Sequence, residues 1–236
     1  KYFIGKEYSD YLKDKKILQK NFSNRINIIL KHIQDSKTKV LLEVGCAYGF
    51  FLEIAKNHFK KNVGIDISQD AIKFIKKTYK FEVYNNDLSD WNFNHKTYDI
   101  VCLWDTIEHL PNPEIYIKKI TKNLSKNGFL ALTTPDSGSF VAKFRKDKWR
   151  MVHPPTHLHY FSMKNITQLL KKNGYKIIYK RHCGFYRSLD NMFYNIFVLR
   201  LNFPLIYKLV KILKIHRLSL YLNLYDIMFI IAKKTN

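Results

Sequence analysis

Apolar positions along this chain follow two alternating rhythms. From Glu7 to about Gln34 they recur at helical spacing, with Leu12, Ile17, Leu18, Phe22, Ile26, Ile29 and Leu30 in one stripe. Lys39 to Gly45 is instead a short continuous apolar run, which predicts a buried strand. Phe50 to Phe59 returns to helical spacing, and Asn62 to Ile67 predicts a second strand. Ser68 is placed to cap a helix carrying Ala71, Ile72 and Ile75. The alternation continues with strands at Phe81–Tyr84, Tyr98–Trp104, Phe129–Thr133, Tyr175–Lys180 and Asp226–Ala232. Helices are expected over Pro113–Leu124 and Ser162–Lys172, each closed by an Asn-Gly pair. Strands that are apolar on both faces, separated by helices, predict an α/β fold with a mostly parallel sheet covered on both sides. In such sheets ligands bind beyond the carboxyl ends of the strands, where the strand order reverses.

Composition changes this picture little. With 236 residues, 46% of them hydrophobic, the chain can bury a sizeable core. Lys and Arg number 41 against 19 Asp and Glu, a net charge of +22 that attracts anions. The lysines are spread along the whole chain and no RNA- or DNA-binding motif accompanies them, so nucleic acid is not the expected partner. Cys46, Cys102 and Cys183 are too scattered for a disulfide framework, which suits a cytoplasmic enzyme. No signal peptide is recognisable in the sequence, which starts at Lys1. The longest apolar stretch, Met192 to Val210, is broken by Arg200, Pro204 and Lys208, so no spanning helix is expected.

The chemistry collects at the strand ends. Gly45 closes the first strand and Gly49 opens the next helix, in the run LEVGCAYGFF. Two bare positions there allow positive φ or close approach of a ligand to a helix N-terminus; a tight turn alone is the rival explanation. Asp66 ends the second strand, where an acid can accept both hydroxyls of a ribose or simply favour the following helix. After the third strand, Asp87 and Leu88 stand where an acid can meet the exocyclic amine of an adenine, or form an ordinary turn. After the fourth, Asp105, Glu108 and His109 can share a helical face, for ligand orientation or as a structural ion pair.

Taken together, LLEVGCAYG, GIDIS, NND, LWDTIEHL and GFLALTTPD, in this order and spacing, resemble the class I S-adenosylmethionine-dependent methyltransferases. The likeness covers roughly Val40 to Lys180 and the last strand. It is closest to the branch holding ubiquinone-type O-methyltransferases and bacterial polysaccharide-locus methyltransferases. Ala47 breaks the Gly-x-Gly-x-x-Gly fingerprint of dinucleotide binding, so a nicotinamide cofactor is not the expected ligand. The resemblance implies a Rossmann-like seven-stranded sheet with an antiparallel last strand. It implies that Glu43, Gly45, Cys46 and Gly49 surround the methionine portion, and that Asp66 and Ile67 hold the ribose. Asp87 and Leu88 would meet the adenine, and Asp105 would lie near the sulfonium. Many relatives carry a second Gly where this chain has Ala47, which bears on the shape of that pocket. Asp105, Glu108 and His109 also match a divalent-ion pattern of some ubiquinone-pathway relatives, but no metal is expected here.

Transfer to a hydroxyl gains from a base, and His suits neutral pH. HPPTHLHYFS offers His153, His157 and His159, of which His157 matches a recurring signature of the relatives. His157 is therefore the expected catalytic base or substrate orienter, with His109 and Asp105 beside it; a backbone-bonding role is the rival. Ser162 is expected to be an N-cap.

Both ends of the chain elaborate this core. The residues of 1–35 read as an amino-terminal helical lid, with Tyr2, Phe3, Tyr8 and Tyr11 over the cleft or packed on the sheet edge. Residues 39–183 form the cofactor-binding core, 184–224 a helical insertion and 226–232 the last strand, all in one domain. In the insertion Ile206, Leu209, Val210 and Leu213 alternate with Lys208, Lys211 and Lys214. Such a basic amphipathic helix caps a cleft, lies on a membrane surface or makes a dimer contact. The expected acceptor is a small molecule, a sugar hydroxyl of a surface-polysaccharide or glycan precursor. A phenolic quinone precursor, RNA methylation and a non-catalytic binding module are the alternatives. The expected location is the cytoplasm, with the inner membrane face as the place where the basic helix would act.

Overall fold

The computed structural model describes residues 11–93, 97–215 and 218–235. Its strands are β1 (Val40–Val44), β2 (Lys61–Asp66), β3 (Glu82–Asn85), β4 (Tyr98–Trp104), β5 (Leu124–Pro135), β6 (Tyr175–His182), β7 (Phe185–Ser188), β8 (Ser219–Leu222) and β9 (Ile227–Lys234). Seven of them form one sheet in the order β3-β2-β1-β4-β5-β9-β6. The neighbours from β3 to β5 pair in parallel, whereas β9 runs antiparallel to both β5 and β6. The strand order reverses between β1 and β4, which opens a crevice beyond their carboxyl ends.

Strand residues are buried on both faces because helices cover both. Phe22, Ile26 and Ile29 of α1 (Lys15–Leu30), Phe51 and Leu52 of α2 (Phe50–Ala55), and Ile72 and Ile75 of α3 (Gln69–Thr78) pack on Leu41, Ile100, Cys102 and Phe229. The opposite layer places Ile117 and Ile120 of α4 (Pro113–Asn123) on Leu42, Val101, Leu103 and Leu130, with Ile166 and Leu170 of a later helix beside them. Two further helices follow β5, α5 (Phe140–Arg145) and α6 (Met163–Lys172). Ser68 and Ser162 cap α3 and α6 as their types predict, accepting from the N–H groups of Ala71 and Asn165 at 3.3 and 3.2 Å.

Two expectations change. The amino-terminal helix starts at Lys15, not Glu7, and Tyr2, Phe3 and Tyr8 of the expected lid lie outside the described residues. The insertion is not purely helical. It opens with β7, passes through α7 (Leu189–Phe193), a π-helical turn (Tyr194–Arg200) and α8 (Pro204–Ile212), and closes with β8, which pairs antiparallel to β7. Asn21 of α1 ties this ribbon to the body: its amide donates to the Tyr186 carbonyl at 3.1 Å, and its oxygen accepts from the Tyr186 N–H at 2.6 Å. The apolar stripe of the insertion also points the other way from a cap. Val210 is buried, but Ile206, Leu209 and Leu213 are exposed, and among the described residues of 184–224 it is Phe185 that reaches the central cavity.

Candidate active site

A cavity of about 670 Å³ lies over the carboxyl ends of β1 to β4. Gly45 and Ala47 enter its wall after β1, Asp66 and Ile67 after β2, Asp87 and Leu88 after β3. Asp105, Thr106 and His109 follow β4, and Met151 to Leu158 close the far side. Tyr11, Asn21 and Arg25 roof it from the amino-terminal side. The volume and mixed lining are those of a small-molecule site.

The turn after β1 is unusual in its backbone. Gly45 and Gly49 both sit at φ +75°, and Ala47 between them at φ +42°. Ala47 therefore holds the left-handed conformation at a cost of roughly 1–2 kcal/mol, where Gly would be unstrained. The glycines are bare for reasons inside the fold. A Cβ on Gly45 would stand 2.8 Å from the Thr106 hydroxyl oxygen, and one on Gly49 would stand 3.0 Å from Ile75 of α3. The wall thus folds tightly against the loop after β4. The Thr106 hydroxyl in turn lies 3.0 Å from the Trp104 carbonyl and 3.3 Å from that of Val44.

Asp66 is almost wholly buried, and each of its oxygens accepts a backbone N–H, from Ala47 at 2.7 Å and Ser68 at 2.8 Å. Burial raises its pKa, opposed by those two donors. Each oxygen keeps a lone pair for a ligand. At Asp87 burial also works upward, but the Ser89 N–H and the Tyr116 hydroxyl outweigh it and hold the carboxyl below its usual value. Ile67 stands exposed beside Asp66 and offers an apolar face.

Not every expected residue faces the cavity. Cys46 is buried in the helical layer, and Gly64 leaves room for its sulfur, which would meet a Cβ there at 2.7 Å. Gly49 and Glu43 are likewise absent from the cavity wall. Glu43 is buried, and its Oε2 has no hydrogen-bond partner. Burial, with the nearby charge of Asp66, pushes its pKa well up.

Asp105 is occupied by protein partners. Its φ is +50°, its carboxylate accepts from the Thr133 hydroxyl at 2.9 Å, and it pairs with Arg25 at 3.0 Å. The Arg25 side chain is 7% exposed and lies over the rings of Trp104 and Phe185, each 5.0 Å away. Sequence reasoning missed Arg25. The available signal was a lone guanidinium amid the apolar stripe of Phe22, Ile26 and Ile29.

Of the candidate residues Asp105, Glu108 and His109, the last two gather with His157, whereas Asp105 turns to Arg25 and Thr133. One ligand atom from each lies within 4.8 Å of the other two, so a divalent ion would find two nitrogens and a carboxylate there. Glu108 is buried and accepts from the Thr134 hydroxyl at 2.9 Å; burial, then the neighbouring Asp105, pushes its pKa to about 8. His109 Nδ1 lies 2.7 Å from the Thr156 carbonyl, and His157 Nδ1 lies 2.9 Å from that of Met151. A carbonyl only accepts, so each ring donates from Nδ1, and a neutral ring then keeps a lone pair on Nε2. The two rings meet edge to face at 4.8 Å. Burial, then the charge of His109, lowers the pKa of His157 and favours its neutral form. The backbone-bonding role expected as a rival is therefore real, and it leaves the other nitrogen free. His153 also lines the cavity, whereas His159 turns to the Pro111 carbonyl at 3.3 Å.

Comparison with known proteins agrees with this architecture. Residues 15–180 match the family model described as a methyltransferase domain. An uncharacterised protein of Methanocaldococcus jannaschii is 24% identical over 174 residues, 74% of this chain and 80% of that protein. A ubiquinone biosynthesis O-methyltransferase of Coxiella burnetii is 26% identical over 113 residues, 44% of this chain and 48% of that protein. Among solved structures, the N-methyltransferase NodS from Bradyrhizobium japonicum, in complex with S-adenosyl-L-homocysteine, shares the fold at a TM-score of 0.61 and 13% identity, over 96% of this chain and 91% of that one. With the sheet order, the cavity at its switch point and the matched family model, the chain belongs to the class I S-adenosylmethionine-dependent methyltransferases.

Proposed function

We propose that this methyltransferase acts on a hydroxyl oxygen, and that its acceptor is a sugar of a surface-polysaccharide or glycan precursor. The His109–His157 pair carries the reading: two imidazoles on the cavity wall, each fixed through Nδ1, with Nε2 free to accept a proton. His157, whose neutral form is favoured, takes the acceptor hydroxyl proton while His109 orients the same oxygen.

The residues present fit the methyl donor. When bound, S-adenosylmethionine supplies an electrophilic methyl group on a sulfonium that leaves as a neutral thioether. Asp66 would accept the ribose hydroxyls, with Ile67 against the sugar, and Asp87 and Leu88 would receive the adenine. Gly45 and Ala47 present backbone to the methionine portion; Cys46 and Gly49 shape that turn from behind. Glu43, with its unpartnered Oε2, is buried beside that turn and off the cavity wall. Asp105, clamped by Arg25 and Thr133, fixes the wall between donor and histidines. A phenolic quinone precursor is the second reading, favoured by the Coxiella relative.

Calorimetric titration with S-adenosylmethionine and S-adenosylhomocysteine tests the first half. Micromolar binding that Asp66→Ala abolishes is expected, whereas wild-type protein without affinity would point to a non-catalytic module. Turnover assays against sugar and catechol acceptors test the second. His157→Gln should lose about 10²-fold or more in kcat while keeping donor affinity. Turnover unchanged in that variant would remove His157 from the base role, whereas turnover lost on adding a chelator and restored by a divalent ion would make the pair metal ligands.

A further inference from the structure

Two short helices on this molecule are inside out. In α8 the inner side carries Val210, 8% exposed, and Tyr207, whose hydroxyl donates to Asp190 at 2.7 Å. Leu205, Ile206, Leu209, Ile212 and Leu213 fall on a single arc of roughly 120° at helical spacing, and that arc faces out. Leu205 is 71% and Ile212 74% exposed. Leu199, Leu201 and Phe203, just before α8, are exposed as well. In α5 only Ala142 is buried, while Phe140 and Phe144 stand 81% and 77% exposed with their rings stacked at 6.0 Å.

Both helices lie at one end of the sheet. α5 follows the carboxyl end of β5, and the insertion holding α8 follows the carboxyl end of β6. β5 and β6 point the same way, since both are antiparallel to β9. That is also the end onto which the active-site cavity opens. Cations surround each apolar patch. Lys143, Arg145, Lys146 and Lys148, with the one acid Asp147 among them, flank the phenylalanines; Arg200, Lys208, Lys211 and Lys214 flank the leucines. From Leu189 to Tyr225 the one acid is Asp190, held on the inner side by Tyr207. No helix among the described residues is long and apolar enough to cross a membrane.

We propose that this edge docks on an anionic lipid bilayer, with Phe140, Phe144 and the outward arc of α8 entering the interface and the lysines meeting lipid phosphates. Apolar side chains in the interfacial layer with cations at its rim are the signature of peripheral attachment. A water-soluble protein partner would need anionic groups around an apolar groove. A bilayer supplies both chemistries at once over a flat surface. Docking in this pose sets the cavity mouth beside the membrane. The inference stands whatever the acceptor is, because lipid binding needs no turnover.

The test is flotation of the full chain with vesicles of mixed phosphatidylglycerol and phosphatidylcholine, against pure phosphatidylcholine. Binding to the anionic vesicles is expected, at least about tenfold above the neutral ones and weakening as salt rises. Leu205→Asp with Ile212→Asp should reduce it about tenfold or more, and Phe140→Ser with Phe144→Ser should do the same independently. S-adenosylhomocysteine binding by each variant reports that it is folded. Absence of flotation, or flotation indifferent to both pairs, overturns the proposal. So does a dimer in sedimentation that the leucine pair disperses, with no vesicle binding, which would assign the face to a second copy of the chain.

Discussion

At Gly45 one missing Cβ joins two loops. The Thr106 side chain fills the space a methyl would need, and φ +75° is a conformation that L side chains rarely hold. Gly45→Ala should therefore cost ~2–4 kcal/mol in urea unfolding, from backbone strain and overlap together. Adding Thr106→Ala should return the overlap part and leave the strain; a double variant no more stable than the single one would show that Thr106 is not what keeps the position bare. His157 makes the second argument at this scale. Its pKa is lowered from 6.5 by burial and by His109, so the neutral base persists to lower pH than an ordinary histidine. For a His with a depressed folded pKa, the neutral, competent form is complete above 6.5 and is lost as pH falls through the lower folded value. The acid limb of kcat/KM should thus have its midpoint below 6.5, and His157→Gln should erase that limb. An acid limb that survives in the variant would assign it to another group.

Among the elements α1 does most of the joining. Phe22 stacks edge-on to Phe51 of α2 at 5.5 Å, Arg25 reaches Asp105 after β4, and Asn21 pairs with both backbone groups of Tyr186 in β7. Asn21→Ala strips two backbone groups of their partner, a loss of about 1–3 kcal/mol concentrated in the β7–β8 ribbon. Hydrogen exchange should report faster amides in Phe185–Ser188 and Ser219–Leu222, with the central strands unchanged. A uniform loss across the sheet would mean that the ribbon unfolds only with the whole domain. This helix also shows where the sequence could be read and where it could not. Its apolar stripe is local, repeated at helical spacing, and visible without a structure. So are the strand runs, the serine caps, and the acids that close β2, β3 and β4, which is why Asp66, Asp87 and Asp105 were identified and do meet around one cavity. Asn21 and Arg25 looked like ordinary polar positions because their partners lie 165 and 80 residues away. β7 and β8 escaped for the same reason: four-residue strands, each with its pairing partner across the insertion, leave little pattern of their own. In LEVGCAYGFF the tight turn was legible, but the side-chain directions were not. The glycines are bare for Thr106 and Ile75, and Cys46 points into the core.

The whole molecule carries +22 charges, so its cations outnumber the acids available to pair with them. Glu53 is taken by Lys15, Glu82 by Lys61, Glu114 by both Lys118 and Lys172, and Asp226 by Arg150. With 41 Lys and Arg and 19 acids, most cations face others of their own sign across water. Self-repulsion of this kind weakens the compact state more than the expanded one, because folding brings the charges closer. Salt shortens the reach of repulsion from about 30 Å at 0.01 M to about 8 Å at 0.15 M. It weakens the exposed attractive pairs too, but each of those contributes only about 0–1 kcal/mol and they are outnumbered. The midpoint of thermal unfolding should consequently rise as sodium chloride goes from about 0.01 to 0.15 M, a range in which screening by simple salt is the main effect. A falling midpoint would show that local pairs outweigh the field. The same field bears on the RNA alternative, since a cationic surface binds any polyanion through counterion release. If the charge serves a lipid surface, RNA should bind weakly and without sequence preference, and let go at moderate salt. Anionic vesicles should hold on better, because the outward leucines and phenylalanines add a contact that salt does not screen. Comparing the two salt dependences on one protein sample separates charge alone from charge with an apolar anchor; equal slopes and equal release points would leave the exposed apolar edge without a part in binding.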